Sequence, residues 1–314
     1  MWGKAEFRGG LVVALGAVIV VLAIIVSGRD LPGVILLQSL RFHLMAVGVI
    51  LALGLIVLGA RWRGLLGLLP VLAAGAHGYW LIGELYTNRT DIAAAPAAQF
   101  RFLSFNVLNG NQRADELVDA VLADPPEVVL VMETPGIRPQ LDRMAEIYPY
   151  RLGCERPETC DISLYSRLPI EEGGIELFRP FNWERLVTAR VRVDGQSVTI
   201  VGAHLTKPYD NNVAWQEMWV LSNLLGTIEG PLVLAGDFNS AIWTETMGML
   251  IERGGLMPGP VTPATWPVRL GPVGVPIDNV LTRGEARILT LESGDSYGSN
   301  HRPLWASIGL YAAD

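Results

Sequence analysis

Three long apolar runs, Leu11–Val26, Leu44–Ala60 and Leu65–Gly83, occupy the first third of the chain and limit its fold more than any other feature. Each approaches the ~20 residues needed to cross ~30 Å of hydrocarbon. Only short segments carrying Arg29, Asp30, Arg41, Arg61 and Arg63 separate them. A buried helical hairpin of a soluble core would show polar faces and caps, which these runs lack. A cleaved signal peptide is an alternative for the first run, since Lys4 and Arg8 precede it, but Val26-Ser27-Gly28 is followed at once by charge. The expectation is a three-span transmembrane anchor over residues 1–85.

Basic residues beside a span tend to stay in the cytoplasm. Lys4 and Arg8 precede the first run, and Arg61 with Arg63 lie between the second and third. The segment after the third run has no basic excess, although Arg29 and Arg41 weaken the contrast. The remainder of the chain is therefore expected outside the cytoplasm, on a multi-pass membrane protein. The two cysteines, Cys154 and Cys160, share a loop short enough to close into a disulfide, which persists only in an oxidising compartment; two unrelated thiols are the equal alternative.

Over residues 97–314, 17 Arg and Lys face 27 Asp and Glu, and Lys207 is the only lysine. That balance is a poor match to a nucleic-acid backbone, whose non-specific binding draws on Lys and Arg at the phosphates.

Residues 86–99 are Ala-rich, broken by Pro96 and without apolar period, and read as a linker. From Phe100 onward short apolar strands alternate with amphipathic helices. Phe102–Val107 and Val128–Met132 predict buried strands around a helix over Gln112–Asp124. Leu186–Val193 and Ser197–Ala203 alternate in polarity about Asp194-Gly195, a hairpin signal. Asn212–Ile228 has helical period, and Pro231–Ala235, Ile277–Leu281, Arg287–Leu291 and Leu304–Ile308 predict further strands. Strands joined both by helices and by hairpins imply mixed sheets covered by helices.

The informative polar residues sit at the ends of these strands, where rigid scaffolds carry function. Asn106 closes the first strand, and Glu133 follows the second, where a carboxylate is unfavourable unless paired or cation-bound. His204 ends Gly-Ala-His-Leu. Asp237 and Asn239 stand two apart in Gly-Asp-Phe-Asn, able to turn a carboxylate and an amide into one pocket. Asp278 in Ile-Asp-Asn and His301 in Ser-Asn-His-Arg-Pro form the type of pair in which an Asp orients a His to take a proton from water. Of four histidines, His43 and His77 lie in the apolar third and the other two at these strand ends. A hard cation such as Mg²⁺ needs few protein carboxylates, because it keeps waters.

The ordered set Phe-Asn-Val, Met-Glu-Thr, Tyr-Ser-Arg, Ala-His-Leu, Gly-Asp-Phe-Asn, Ile-Asp-Asn-Val and Ser-Asn-His-Arg-Pro resembles the endonuclease/exonuclease/phosphatase superfamily over residues 100–314. The resemblance implies an α/β four-layer sandwich, two mixed β-sheets flanked by helices, with the site at one edge of the packed sheets. It further implies that Glu133 binds Mg²⁺ or Mn²⁺ with help from Asn106, that Asp237 and Asn239 orient water and phosphate, that His204 donates to a phosphate oxygen, and that Asp278 orients His301 as general base. Asn300 stands where the family usually has a metal-binding Asp, keeping an oxygen but removing a charge. Asp161 stands where many members have Gly. Three spans before such a domain also resemble the teicoplanin-resistance-associated membrane proteins, for which the implied substrate is a polyprenyl pyrophosphate.

The expectation is a membrane-anchored, Mg²⁺-dependent phosphoesterase cleaving a phosphodiester, phosphomonoester or pyrophosphate. Its expected partners are the lipid bilayer and a phosphate-bearing, preferably lipid-linked substrate, with no obligate protein partner. A surface nuclease acting on DNA or RNA is the alternative, with Trp215, Trp243 and Trp266 as a stacking platform. A non-catalytic binding protein is the third reading, resting on Asn300.

Overall fold

A computed structural model describes all residues except 1, 2, 30, 88, 91, 93, 179, 180, 313 and 314. The apolar third forms helices α1 (Lys4–Val26), α2 (Val34–Ser39), α3 (Arg41–Val57) and α4 (Arg61–Thr87). Of the three spans expected, α1 and α4 are long and apolar enough to cross a membrane, with mean hydropathy 3.0 and 1.6. The middle one is corrected: α3 has 17 residues, about 25 Å of helix at ~1.5 Å per residue, because the chain turns through Gly59 in the left-handed region. Apolar side chains of this bundle point outward, with Val13 73%, Val57 84% and Leu69 66% exposed.

The expected linker is shorter than 86–99. Helix α4 takes in Tyr86 and Thr87, and the first strand takes in Ala98 and Gln99, while residues 88, 91 and 93 lie outside the described set.

The chain continues through β1 (Ala98–Asn106), α5 (Ala114–Ala123), β2 (Val128–Met132), α6 (Leu141–Ile147), β3 (Tyr150–Leu152), β4 (Ser163–Ser166), β5 (Ile170–Phe178), β6 (Trp183–Val193) and β7 (Gln196–His204). It then forms α7 (Asn211–Thr227), β8 (Leu232–Asp237), α8 (Glu245–Gly254), β9 (Met257–Pro258), β10 (Asp278–Arg283), β11 (Ala286–Ser293) and β12 (Leu304–Leu310). Two six-stranded sheets result, ordered β11-β12-β1-β2-β4-β3 and β5-β6-β7-β8-β10-β9. Each is mixed, because a helix crossover makes β1–β2 and β7–β8 parallel while the remaining pairs are antiparallel.

Strand periodicity explains the layers. Phe100 and Phe102 of β1 face Leu130, Val187, Ile200 and Val233 between the sheets, whereas Leu103 and Phe105 face α5 and α6 on the outside. Residues Met218, Leu221 and Leu225 of α7 and Leu250 of α8 cover the other sheet. The four-layer sandwich expected from the motifs is the one found. Gly202 permits the close approach of the sheets, since a Cβ there would lie 2.4 Å from the Leu130 Cδ1. Cys154 and Cys160 are joined in a disulfide.

Helix α2 ties the bundle to the sandwich. Ala241 N donates to Ser39 Oγ (3.1 Å), Trp243 Nε1 to Gln38 O (3.0 Å) and Glu245 N to Gln38 Oε1 (3.1 Å). Leu40 packs with Ala241, Val275, Ile277, Trp243 and Trp266, while Val34 and Ile35 pack with Ala214 and Trp215.

Candidate active site

The two parallel pairs bring strand ends together at one edge. Asn106 is level with Met132 across β1–β2, His204 is level with Asp237 across β7–β8, and Asp278 opens β10 opposite the same Asp237. The carboxyl ends of parallel strands leave a crevice in which a ligand can sit. Two site residues adopt the left-handed backbone, Glu133 with φ 54° and Asn239 with φ 49°. Such a conformation is uncommon for Glu and persists where its surroundings hold it. Gly236 has φ 144°, and a Cβ there would sit 1.8 Å from the Ala203 carbonyl oxygen, so no other residue lets β8 deliver Asp237 beside β7.

Asp237 lies at the centre, 1% exposed. Its Oδ1 accepts from Asn239 N (2.8 Å) and its Oδ2 from Asn106 Nδ2 (3.1 Å). The same Asn106 amide donates to Glu133 Oε1 (3.1 Å), while Asn106 Oδ1 accepts from Leu108 N. Asn106 thus enters as a donor bracing two carboxylates, with its oxygen turned to the backbone. Asn239 Nδ2 donates to Leu205 O (2.8 Å), which fixes its side chain.

Two buried histidines flank Asp237, each with Nε2 3.8 Å from Asp237 Oδ2. His301 Nδ1 lies 2.8 Å from Asp278 Oδ2, and His204 Nδ1 lies 2.7 Å from Asp161 Oδ2. In each pair the carboxylate accepts a hydrogen bond from Nδ1–H, which turns Nε2 toward the centre. Ser299 locks one side, accepting from His301 N (3.0 Å) and donating to Asn106 O (2.7 Å). Behind Asp161 stands Arg185, 3.8 Å away, itself bonded to Glu217 Oε1 (3.2 Å) and Thr206 Oγ1 (2.7 Å).

Charge shifts follow from this crowding. Burial disfavours a charged His301, but the Asp278 and Asp237 carboxylates outweigh it and raise the imidazole to about 9. Burial likewise opposes charge on His204, and Asp161 and then Asp237 overcome it, raising its pKa. Asp237 is raised by burial first and by the neighbouring Asp278 charge second, with the two histidines acting in the opposite direction.

The donor set suits a hard divalent cation. Asp237 and Asp278 offer carboxylate oxygens within 4.8 Å of each other beside His301, and Asp278 Oδ1 is buried with no hydrogen-bond partner among the described residues. Glu133 adds a carboxylate across the Asn106 amide.

The structure therefore gathers Asn106, Glu133, His204, Asp237, Asn239, Asp278 and His301. It does not bring Asn300 into this hydrogen-bonded group: Asn300 is exposed, and its backbone oxygen accepts from Val268 N (3.1 Å). Sequence reading missed the roles of Asp161, Arg185, Glu217 and Thr206. Asp161 had one visible signal, an acidic residue directly before the apolar Ile162–Tyr165 run. Trp215, Trp243 and Trp266 are half-buried against the α2 region, which occupies the surface expected to stack bases.

A sequence profile of the Endonuclease/Exonuclease/phosphatase family matches residues 103–306. A UPF0294 protein of Vibrio cholerae is 31% identical over 132 residues, 39% of this chain and 45% of the relative, so the chain spans under half the length of the curated relatives it matches. Among solved structures, D. rerio TDP2 complexed with single-strand DNA product is similar (TM-score 0.56, 16% identity, 68% of this chain and 99% of that one). So is Staphylococcus aureus beta toxin with bound magnesium ions (TM-score 0.51, 16% identity, 68% and 100%). Sphingomyelinase C of Streptomyces griseocarneus gives TM-score 0.50 at 16% identity, covering 67% and 99%. At these identities the likeness is one of fold.

Proposed function

The chain belongs to the endonuclease/exonuclease/phosphatase family, and on that premise we propose that it is a membrane-anchored, Mg²⁺- or Mn²⁺-dependent phosphoesterase acting outside the cytoplasm on a lipid-linked phosphate ester or pyrophosphate. The observation that carries the reading is the convergence of two carboxylate-held histidines on the buried carboxylate of Asp237.

Glu133, with Asp237 and Asp278 close by, would hold the cation, which when bound supplies positive charge to offset that of the phosphate. Because Asp161 and Asp278 hold Nδ1 of His204 and His301 and turn Nε2 toward the centre, the two Nε2–H groups serve as donors to phosphate oxygens, where charge grows during attack. Asp237, lying between the two Nε2 atoms and held by Asn106 and Asn239, is then the group placed to accept the proton of an attacking water. This moves the base from His301, where the motif reading put it, to the carboxylate between the histidines. Asn239 orients water or phosphate beside it.

Support for the membrane placement comes from the outward apolar surface of α1 and α4 and from the basic residues Lys4, Arg8, Arg61 and Arg63 at one end of the bundle. The Cys154–Cys160 disulfide suits the oxidising side. A lipid-linked substrate suits the acidic sandwich and the use of the three tryptophans in packing rather than in stacking.

The test is a substrate panel of DNA, RNA, phospholipid and polyprenyl pyrophosphate with purified full-length protein and Mg²⁺. Preferential phosphate release from lipid-linked substrates is expected. Preferential cleavage of DNA or RNA would assign the site to a nuclease instead.

A further inference from the structure

A second polar centre lies away from the catalytic cluster, at the junction of the helical bundle with α8. A cavity of about 650 Å³ is lined there by residues including Arg41, His77, Trp80, Thr244, Met249 and Glu252. None of the seven gathered site residues lines it. Its size falls within the range of small-molecule sites, roughly 300–1,000 Å³.

Arg41 is the feature that calls for a ligand. It is 2% exposed, its Nε has no hydrogen-bond partner, and no carboxylate lies within ion-pair distance of it among the described residues. A buried guanidinium without a counter-charge is strongly disfavoured. The fold nevertheless makes room for it: a Cβ on Gly78 would lie 2.6 Å from Arg41 Cδ, so only glycine admits the side chain at this crossing of α3 and α4. Among the described residues its polar contact is to His77 Nδ1, at 3.3 Å. Guanidinium only donates, so Nδ1 accepts and Nε2 carries the imidazole proton, adding a second donor type to the centre.

Position narrows the ligand. The cavity touches Ile25 and Val26 at the end of α1 and Arg41 at the start of α3, which is the level of the outer headgroups when the bundle spans a membrane. Tyr79 and Trp80 are 76% and 56% exposed there, as aromatic residues at a membrane–water interface are. Glu84, Glu245 and Glu252 are exposed and line the same cavity, so the charge runs from a buried cation to an acidic rim. A zwitterion with an inner phosphate and an outer amine matches that order.

We propose that this cavity holds the headgroup of an amine-bearing phospholipid, its phosphate on Arg41 and its ammonium toward the glutamates of the rim. The site rests on the membrane placement proposed above and is independent of the catalytic assignment.

The experiment uses full-length protein in detergent, delipidated and then exposed to phosphatidylethanolamine, phosphatidylglycerol, diacylglycerol or inorganic phosphate. Native mass spectrometry counts what stays bound. One phosphatidylethanolamine per chain is expected, with retention falling about tenfold or more in Arg41→Gln and preference over phosphatidylglycerol shrinking several-fold in Glu245→Gln/Glu252→Gln. Undiminished retention in a folded Arg41→Gln, or equal retention of diacylglycerol, would overturn the site; binding of inorganic phosphate alone would overturn its lipid assignment. In case Arg41→Gln does not fold, a photoreactive phosphatidylethanolamine on the wild type should label segments 77–87 and 242–252; labelling confined elsewhere overturns the proposal. Vesicle association that resists alkaline washing is scored in parallel. Its loss would overturn the membrane reading and this site together, whereas retained insertion without bound phospholipid overturns the site alone.

Discussion

The helical third and the sandwich are both rich in apolar residues, yet they place them on opposite sides. In the bundle Val13, Val57 and Leu69 face outward, while in the sandwich Phe102, Leu130 and Ile200 are 0% exposed. The outward apolar surface of the bundle suits the membrane placement proposed above, whereas the inward packing of the sandwich suits water. The polar exceptions are then the informative groups. In the bundle one such group is the buried Arg41; in the sandwich another is Asp237 with its two histidine pairs. Between the two regions α2 presents one polar edge, Gln38 and Ser39, to the loop that follows Asn239.

Substitutions separate these contributions, and the largest effect belongs to the centre of the site. Asp237→Ala should lower hydrolysis by about 10³-fold or more while leaving the melting temperature of the full-length protein close to that of the wild type. Kinetics with circular dichroism checks both halves. Asp161→Asn should act through His204, with a loss of roughly 10- to 100-fold. Removing that carboxylate lowers the His204 pKa, so the alkaline limb of the rate profile should move to lower pH; an unmoved limb would show that Asp161 is only structural.

Stability should carry its own pH signature. The folded pKa of His301, about 9, lies above the ordinary value of 6.5. Its pairing with Asp278 therefore stabilises the fold fully below pH ~6.5 and is lost as pH rises through ~9. Asp278→Asn should flatten that slope in denaturant titrations. At the joint, Leu40→Ala should cost about 2 kcal/mol of stability and raise KM more than it lowers kcat, because the loop behind Asn239 loses its packing. Smallest of all, Asn300→Asp should change the rate by no more than a few-fold, since the side chain is exposed and outside the hydrogen-bonded group.

Much of the sandwich was legible because its strands obey simple rules. Val128–Met132 is uniformly apolar and is found as the fully buried β2; the Asp194-Gly195 signal marks the turn between β6 and β7, with both residues at positive φ. β5 was not legible. Its Glu-Glu-Gly-Gly core lies on an exposed sheet edge, where no apolar alternation is required. α8 was missed although Thr244 caps its start, Gly255 ends it and its buried positions Thr246, Met247, Leu250, Ile251 and Gly254 fall at helical spacing, because only three of these are large apolar residues. In the site, the strand-end positions were readable one at a time. What sequence could not supply was the pairing of Asp161 with His204, which depends on β4 and β7 meeting from opposite sheets. Nor did an apolar window reveal that α3 stops at Val57, since the Leu-Gly-Ala that follows is still apolar.

The proposed metal-dependent phosphoesterase activity turns on Asp237, held between two histidines. Its most direct test is the initial rate of phosphate release from polyprenyl pyrophosphate by full-length protein in vesicles, with Mg²⁺ and with chelator, for the wild type and Asp237→Asn. A saturable Mg²⁺-dependent rate that falls about 10³-fold in a folded Asp237→Asn is the predicted result. A rate that survives chelation or that substitution undiminished would contradict it.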